Sequence, residues 1–201
     1  METRPKSHLR IHNSNWYIQS PDCKEADFLT GEALAEEAKN LDGDFIISPI
    51  VFSPDGLIYF HGGDFLPFTM LPMPWADNQQ FIGQYPGTRE VGFCPLFCFM
   101  ISDSLYQKLP PPEFFGEDIM AQGEYIMQAK ALGAKLYATS KVSCVYSKAY
   151  KPDESRFEYV KRMTENLAEF SKKWKNQLSL ELKYPVVVQS IMSYPGGYNL
   201  H

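Results

Sequence analysis

The residues best suited to chemistry are Glu117 and Asp118, which follow Phe114-Phe115-Gly116 and open a helical pattern. Backbone N–H groups at a helix N-terminus favour an ionised carboxylate. The glycine permits close approach at a cleft edge. A carboxylate held ionised and turned into a cleft is what a general base requires. Acidic residues are also common in the first turn of a surface helix, and taken alone Glu117 and Asp118 fit that plainer role as well. The four cysteines, Cys23, Cys94, Cys98 and Cys144, form no C-x-x-C pair and have no histidine at zinc-site spacing. Cys94 and Cys98 sit in the apolar run Phe93-Cys94-Pro95-Leu96-Phe97-Cys98-Phe99-Met100 and read as buried thiols. His8 and His12 have the separation of a helical ligand pair, but their neighbours show no helical pattern.

These residues need a scaffold, and the composition supplies one. The chain has 201 residues, 44% hydrophobic and 21% charged, the size and balance of one folded domain with a sizeable core. A net charge of −5 gives no electrostatic footprint for nucleic acid. Abundant Phe and Tyr fit a ligand-lined cleft or an aromatic core equally. No apolar run is long enough to span a bilayer, and residues 1–15 lack the apolar core of a signal peptide. The cysteine usage points to a reducing compartment, so the expected location is cytoplasmic, with peripheral attachment to a membrane as the variant.

The pattern predicts a polar lead-in at 1–15 and a strand at 16–19 that ends at Ser20-Pro21-Asp22. A helix follows over 28–40, then a turn at Asp42-Gly43-Asp44 and a buried strand at 45–52 containing Pro49. Ser53-Pro54-Asp55-Gly56 turns the chain into a strand at 57–61, closed by Gly62-Gly63. Residues 64–90 read as a long shaped loop and 90–101 as an apolar strand run. Ser102 or Asp103 caps a short helix to 109, and Pro110-Pro111-Pro112 extends the chain toward Glu117 and Asp118. A helix over 118–132 stops at Gly133, short strands fall at 134–138 and 141–146, and a last amphipathic helix covers 154–178. A strand-like segment at 184–188 and a turn-rich tail close the chain. Alternating strands and helices define an α/β class.

Taken in order, these segments resemble the later part of the family-two, rhamnosyltransferase-like glycosyltransferases of the GT-A fold. Tyr17-Ile18-Gln19-Ser20-Pro21-Asp22 is similar to the strand ending in that family's Asn-Pro-Asp or Asp-x-Asp element. Asp44 to Pro49, Ser53-Pro54-Asp55-Gly56 and His61-Gly62-Gly63 follow the family order, as does the strand from Arg89 to Ile101. Phe114-Phe115-Gly116-Glu117-Asp118 is similar to its Glu-Asp motif. Ala131-Leu132-Gly133-Ala134-Lys135-Leu136-Tyr137 and Phe170-Ser171-Lys172-Lys173-Trp174 match later elements.

The resemblance implies a truncated GT-A-like mixed sheet flanked by helices. Residues 16–150 would form its metal and acceptor part, with 151–201 as a helix and tail packed on the same domain. It implies an inverting transfer of a sugar from a nucleotide-sugar donor to a glycan, lipid-linked or protein acceptor, assisted by Mn²⁺ or Mg²⁺. Asp22 would hold the cation, Asp118 would take the acceptor proton, and Glu117 would orient the acceptor. Ser20, His61, Gly62, Gly63 and Trp75 would line the donor and acceptor sites, although each has a plainer role as a turn or core residue.

The chain departs from the family at Ser20, where the family often has Asn or Asp, and at Met120, where a second aspartate is common. Val145-Tyr146-Ser147-Lys148 lacks the histidine the family often carries there. The family's nucleotide-binding half precedes the strand matched by Tyr17, where this chain has only 16 residues. The expectation is therefore an enzyme whose missing half is truncated or supplied by a partner chain. The alternative is a non-catalytic subunit of the same fold that acts in binding or assembly. A lectin-like module is a third class, carried only by the aromatics.

Overall fold

The structure is a computed structural model that describes residues 8–24, 28–65, 72–111, 119–147 and 156–174. The first elements are β1 (His8–His12), β2 (Asn15–Gln19), β3 (Cys23–Lys24), α1 (Phe28–Ala38), β4 (Phe45–Phe52) and β5 (Ile58–Phe60). Next come β6 (Gly63–Phe65), β7 (Pro72–Pro74), β8 (Thr88–Glu90) and β9 (Cys98–Ser102). The chain then forms α2 (Asp103–Lys108), α3 (Ile119–Ala131), β10 (Lys135–Tyr146) and α4 (Arg156–Trp174).

Among the described residues, eight strands make one mixed sheet with the path β1-β2-β9-β4-β10-β3, to which β5 adds on β4 and β8 on β10. β6 and β7 form a separate antiparallel pair. The expected α/β class, a mixed sheet flanked by helices, is therefore present.

Three departures from the sequence pattern have clear physical reasons. The lead-in is not free of structure, because Asn13 and Ser14 take the left-handed conformation and fold β1 back on β2, with His8 opposite Gln19. His8 and His12 therefore lie on a strand, where about 3.3 Å per residue separates them too widely for one ion. The stretch 64–90 carries β6, β7 and β8 in place of a bare loop. The two strands expected at 134–146 are one strand, β10, whose register against β4 jumps from Thr139 opposite Pro49 to Ser143 opposite Ile50. That excursion of β10 lies opposite Pro49, which has no N–H for a ladder, so a proline is accommodated in a central strand.

The packing centre is a continuous cluster running from Tyr17 and Ile46 through Phe93, Phe99 and Met100 to Ile126 and Leu136. Cys23, Cys94, Cys98 and Cys144 are all buried in it as free thiols. Ser102 caps α2 by accepting from the Leu105 N–H at 3.4 Å. Gly133, at φ +86°, ends α3, and the Ala134 N–H donates back to the Ala129 carbonyl at 3.0 Å. α4 is fixed by its last turn, where the Trp174 indole donates to Glu124 at 2.7 Å and Lys173 pairs with the same carboxylate. Among the described residues, no helix is long and apolar enough to cross a membrane. The strand-like segment at 184–188 and the tail lie outside the described residues.

Candidate functional site

β9 is antiparallel to both β2 and β4, and β4 is parallel to β10. So β2, β4 and β10 run in one direction, and their carboxyl ends share one border of the sheet. In open α/β sheets, ligands bind outside that border. Asp22 lies there, just past the end of β2.

The Asp22 loop is tied on both sides. The Ser20 N–H donates to the Phe97 carbonyl at 2.6 Å, next to the start of β9. The Asp22 N–H donates to Ser20 Oγ at 3.3 Å, and the Cys23 N–H donates to the Ser20 carbonyl at 3.0 Å, closing a tight turn. Cys23 then pairs with Tyr146 at the end of β10. The next residue, Ser147, donates to the Asp22 carbonyl twice, from N–H at 2.8 Å and from Oγ at 2.7 Å. Ser20 is buried and Asp22 half-buried.

The floor beneath this loop is uncharged. Cys23 Sγ lies 3.5 Å from the Phe97 carbonyl, and Tyr17 Oη lies 3.2 Å from Cys98 Sγ. Burial pushes the Tyr17 hydroxyl far above its ordinary range. Hydrogen bonding to Cys23 and Cys98, together with burial, holds the Cys144 thiol well above the usual thiol value. Inert neutral thiols follow from such surroundings.

Glu117 and Asp118 lie outside the described residues, directly before α3. The first turn of α3 is anchored by Gln122, which is buried and whose Oε1 accepts from the Leu96 N–H at 2.9 Å. Leu96 adjoins Phe97, the residue that receives Ser20. The start of α3 and the Asp22 loop therefore attach to consecutive residues of one segment.

The other expected site residues gather elsewhere, and all are inside the protein. His61 is fully buried; its Nε2 lies 3.3 Å from the Tyr85 carbonyl, and its Nδ1 has no partner among the described residues. Burial, aided by the nearby Arg89 charge, lowers its pKa to about 4, so the ring is neutral. Trp75 is buried, stacks on Tyr85 at 5.5 Å and donates its indole N–H to the buried Asp64 at 3.2 Å. Gly62 takes φ +68°, and a Cβ there would come within 2.9 Å of Val91 Cγ1 and 3.0 Å of Ala138 Cβ. A Cβ on Gly63 would collide with the Met73 carbonyl. Ala76, Asn78 and Tyr85 all adopt positive φ in the segment that covers this cluster. Asp77, in the same segment, has its pKa raised to about 6 by burial.

Sequence reasoning did not single out Ser147, Gln122 or Asp64 as partners in either group. Asp64 alone carried a signal, as one acid between a glycine pair and an apolar run. Ser147 and Gln122 act through tertiary pairing that local pattern does not encode.

The Asp22 loop offers a cation one carboxylate. Ser20 Oγ accepts from the Asp22 N–H and Ser147 Oγ donates to the Asp22 carbonyl, so both hydroxyls face the loop's own backbone. Among the described residues, no three His, Cys, Asp or Glu side chains are grouped to hold an ion. One carboxylate completed by water and substrate phosphates is a donor set that Mg²⁺ accepts. Any cation here would have to bring most of its ligands with it, as phosphate oxygens and water. No protein-family model, no curated protein and no solved structure matches this chain.

Proposed function

We propose that this chain is the metal- and acceptor-binding part of a GT-A-like glycosyltransferase, moving a sugar from a nucleotide-sugar donor to a glycan, lipid-linked or protein acceptor. The observation that carries the reading is the shared anchorage. Asp22 sits at the carboxyl border of the sheet, and both its loop and the first turn of α3 attach to Leu96-Phe97. Asp118 immediately precedes that turn in the sequence.

In this reading Asp22 fixes the cation through its carboxylate, and its backbone keeps the loop closed. A bound Mg²⁺ or Mn²⁺ would neutralise charge on the departing diphosphate. Asp118 accepts the proton that the acceptor hydroxyl loses as it attacks in a single inverting displacement, and Glu117 orients the acceptor. His61, Gly62, Gly63 and Trp75 are enclosed in a separate cluster and act on the fold through packing.

The test uses the full chain with a panel of nucleotide-sugars and Mn²⁺. Transfer or donor hydrolysis is expected, and Asp118→Asn should abolish it without changing the thermal midpoint. Persistent turnover in that variant would remove Asp118 from the role of base. The second reading is a non-catalytic subunit of the same fold. It is favoured by Ser20 and Ser147, whose hydroxyls are both turned onto the Asp22 backbone. Calorimetry separates the two: absence of heat with every nucleoside diphosphate plus Mn²⁺ favours the subunit.

A further inference from the structure

We infer that the outer edge of β1 is a docking site for an extended acidic segment of another polypeptide, which joins the sheet as a further strand. The inference goes beyond the transferase reading and does not depend on it. β1 ends the path of strands, and among the described residues nothing pairs with its outer side. Ile11, on this strand, is 60% exposed.

The hairpin decides which backbone groups the edge offers. Asn13 and Ser14 both take positive φ, 47° and 62°, the pattern of a two-residue type I′ turn. Such a turn closes on a hydrogen-bonded pair, here His12 with Asn15. Bonded and non-bonded pairs alternate along an antiparallel ladder. Arg10 with Tyr17 and His8 with Gln19 are therefore bonded pairs, and the N–H and C=O groups of Leu9 and Ile11 point away from β2. The five pairs run without a bulge and the strand has no proline, so neither of these common features blunts the edge.

Charge decides the occupant. An antiparallel strand bonded to Leu9 and Ile11 sets its other residues opposite His8, Arg10 and His12. Those are non-bonded pairs, in which the Cα atoms come closest, about 4.5 Å apart. The basic alternation starts earlier in the sequence, at Arg4 and Lys6, in a chain whose net charge is −5. A second copy of β1 using both outward residues would set Arg10 opposite Arg10, and like charges directly opposite are destabilising. A strand with Asp or Glu at every second position sets opposite charges there instead. One alternation thus disfavours self-pairing and favours an acidic visitor. In strand addition the main-chain bonds supply affinity and the alternate side chains supply specificity.

The test titrates the full chain, labelled with ¹⁵N, with a short peptide alternating Val and Glu. The Leu9 and Ile11 amides should gain protection from exchange on binding, while the Arg10 amide, already turned to β2, should change little. A peptide of the same composition with its Glu residues grouped together should bind about fivefold more weakly. Arg10→Glu should weaken binding of the alternating peptide by a similar factor, about fivefold, and favour one alternating Val and Lys. If Arg10→Glu does not fold, N-methylated peptides decide with the wild-type chain. Methylation of the amides on one edge of the peptide should abolish binding, and methylation on the other edge should leave it intact. Equal binding of both methylated forms, or of the alternating and grouped peptides, overturns the inference. So does protection of the Leu9 and Ile11 amides in the chain without peptide, which would show the edge already occupied by the chain itself or by a second copy. No binding of the alternating peptide overturns it outright and leaves the transferase reading standing.

Discussion

The Asp22 loop and the His61 cluster are built on opposite principles. The first is held by backbone: Ser20 to Phe97, Cys23 to Ser20, and Ser147 to Asp22. It leaves one carboxylate half-buried at the carboxyl border of the sheet. The second is held by side-chain packing, with Trp75 on Tyr85, His61 fully buried, and glycines at points where no Cβ fits. The difference teaches where function and stability should separate. Changes to side chains in the loop should cost little fold stability, whatever they do to binding. Changes in the cluster should cost stability first.

The sharpest break in that comparison is Gly63→Ala. Its Cβ meets the Met73 backbone, which cannot rotate away. Overpacking costs about 1–3 kcal/mol and occasionally more; a clash with backbone belongs at the top of that range, and chemical denaturation should register most of it. A Gly63→Ala variant as stable as wild type would mean that the β6–β7 pair is looser than its contacts imply.

The next effect is acid sensitivity. His61 is lowered to about 4 from an ordinary 6.5, so below pH 6.5 the unfolded chain takes a proton that the folded chain refuses. Stability from this group is fully present above pH 6.5 and is lost as the pH falls toward 4, on the order of 3 kcal/mol in all. Asp77 acts with the opposite sign. Raised to about 6, it binds its proton more readily when folded, so its burial costs stability above pH 6 and that cost disappears toward pH 4. Asp77→Asn should therefore raise the thermal midpoint at pH 7.5, and the gain should shrink to nothing by pH 4. NMR titration of His61 checks the first statement, and melting curves of Asp77→Asn across pH check the second.

Trp75→Phe comes third. It keeps most of the stack on Tyr85 but removes the indole donor from the buried Asp64. A loss of about 1–3 kcal/mol is expected, because a buried carboxylate then lacks one hydrogen bond. Ser20→Ala should be the smallest. The Ser20 N–H still reaches Phe97, and only the Oγ bond to the Asp22 N–H goes, worth about 1 kcal/mol or less. A larger loss at Ser20 than at Trp75 would reverse the contrast between the two regions.

Much of the scaffold was legible because its signals are local. Ser102 as a cap, Gly133 as a stop, and the apolar runs of β4 and β9 each state their structure in a few residues. What escaped was set by distant partners. β1 alternates polar and apolar residues over five positions, too short to distinguish from a lead-in until β2 pairs with it. β3 has two residues, and the shift in β10 depends on Pro49 across the ladder. At the site, Asp22 was readable as an acid ending a strand, and His61 and Trp75 as residues beside a glycine turn. That the latter pair would be fully enclosed depended on Tyr85 and on the left-handed backbone around it. Position 147 drew notice only for the histidine it lacks, and its serine gains meaning from Asp22 alone.

The β1 hairpin has a consequence for any second polypeptide that would add a strand to this sheet. The outer flank of β2 is already occupied along its whole length, from His8 opposite Gln19 to His12 opposite Asn15. A visiting strand could join the sheet on that side only beyond β1, two strand spacings or about 10 Å from β2. Anything such a visitor brought toward the Asp22 loop would start one strand farther away than direct pairing with β2 would put it, so the reach would have to come from a loop.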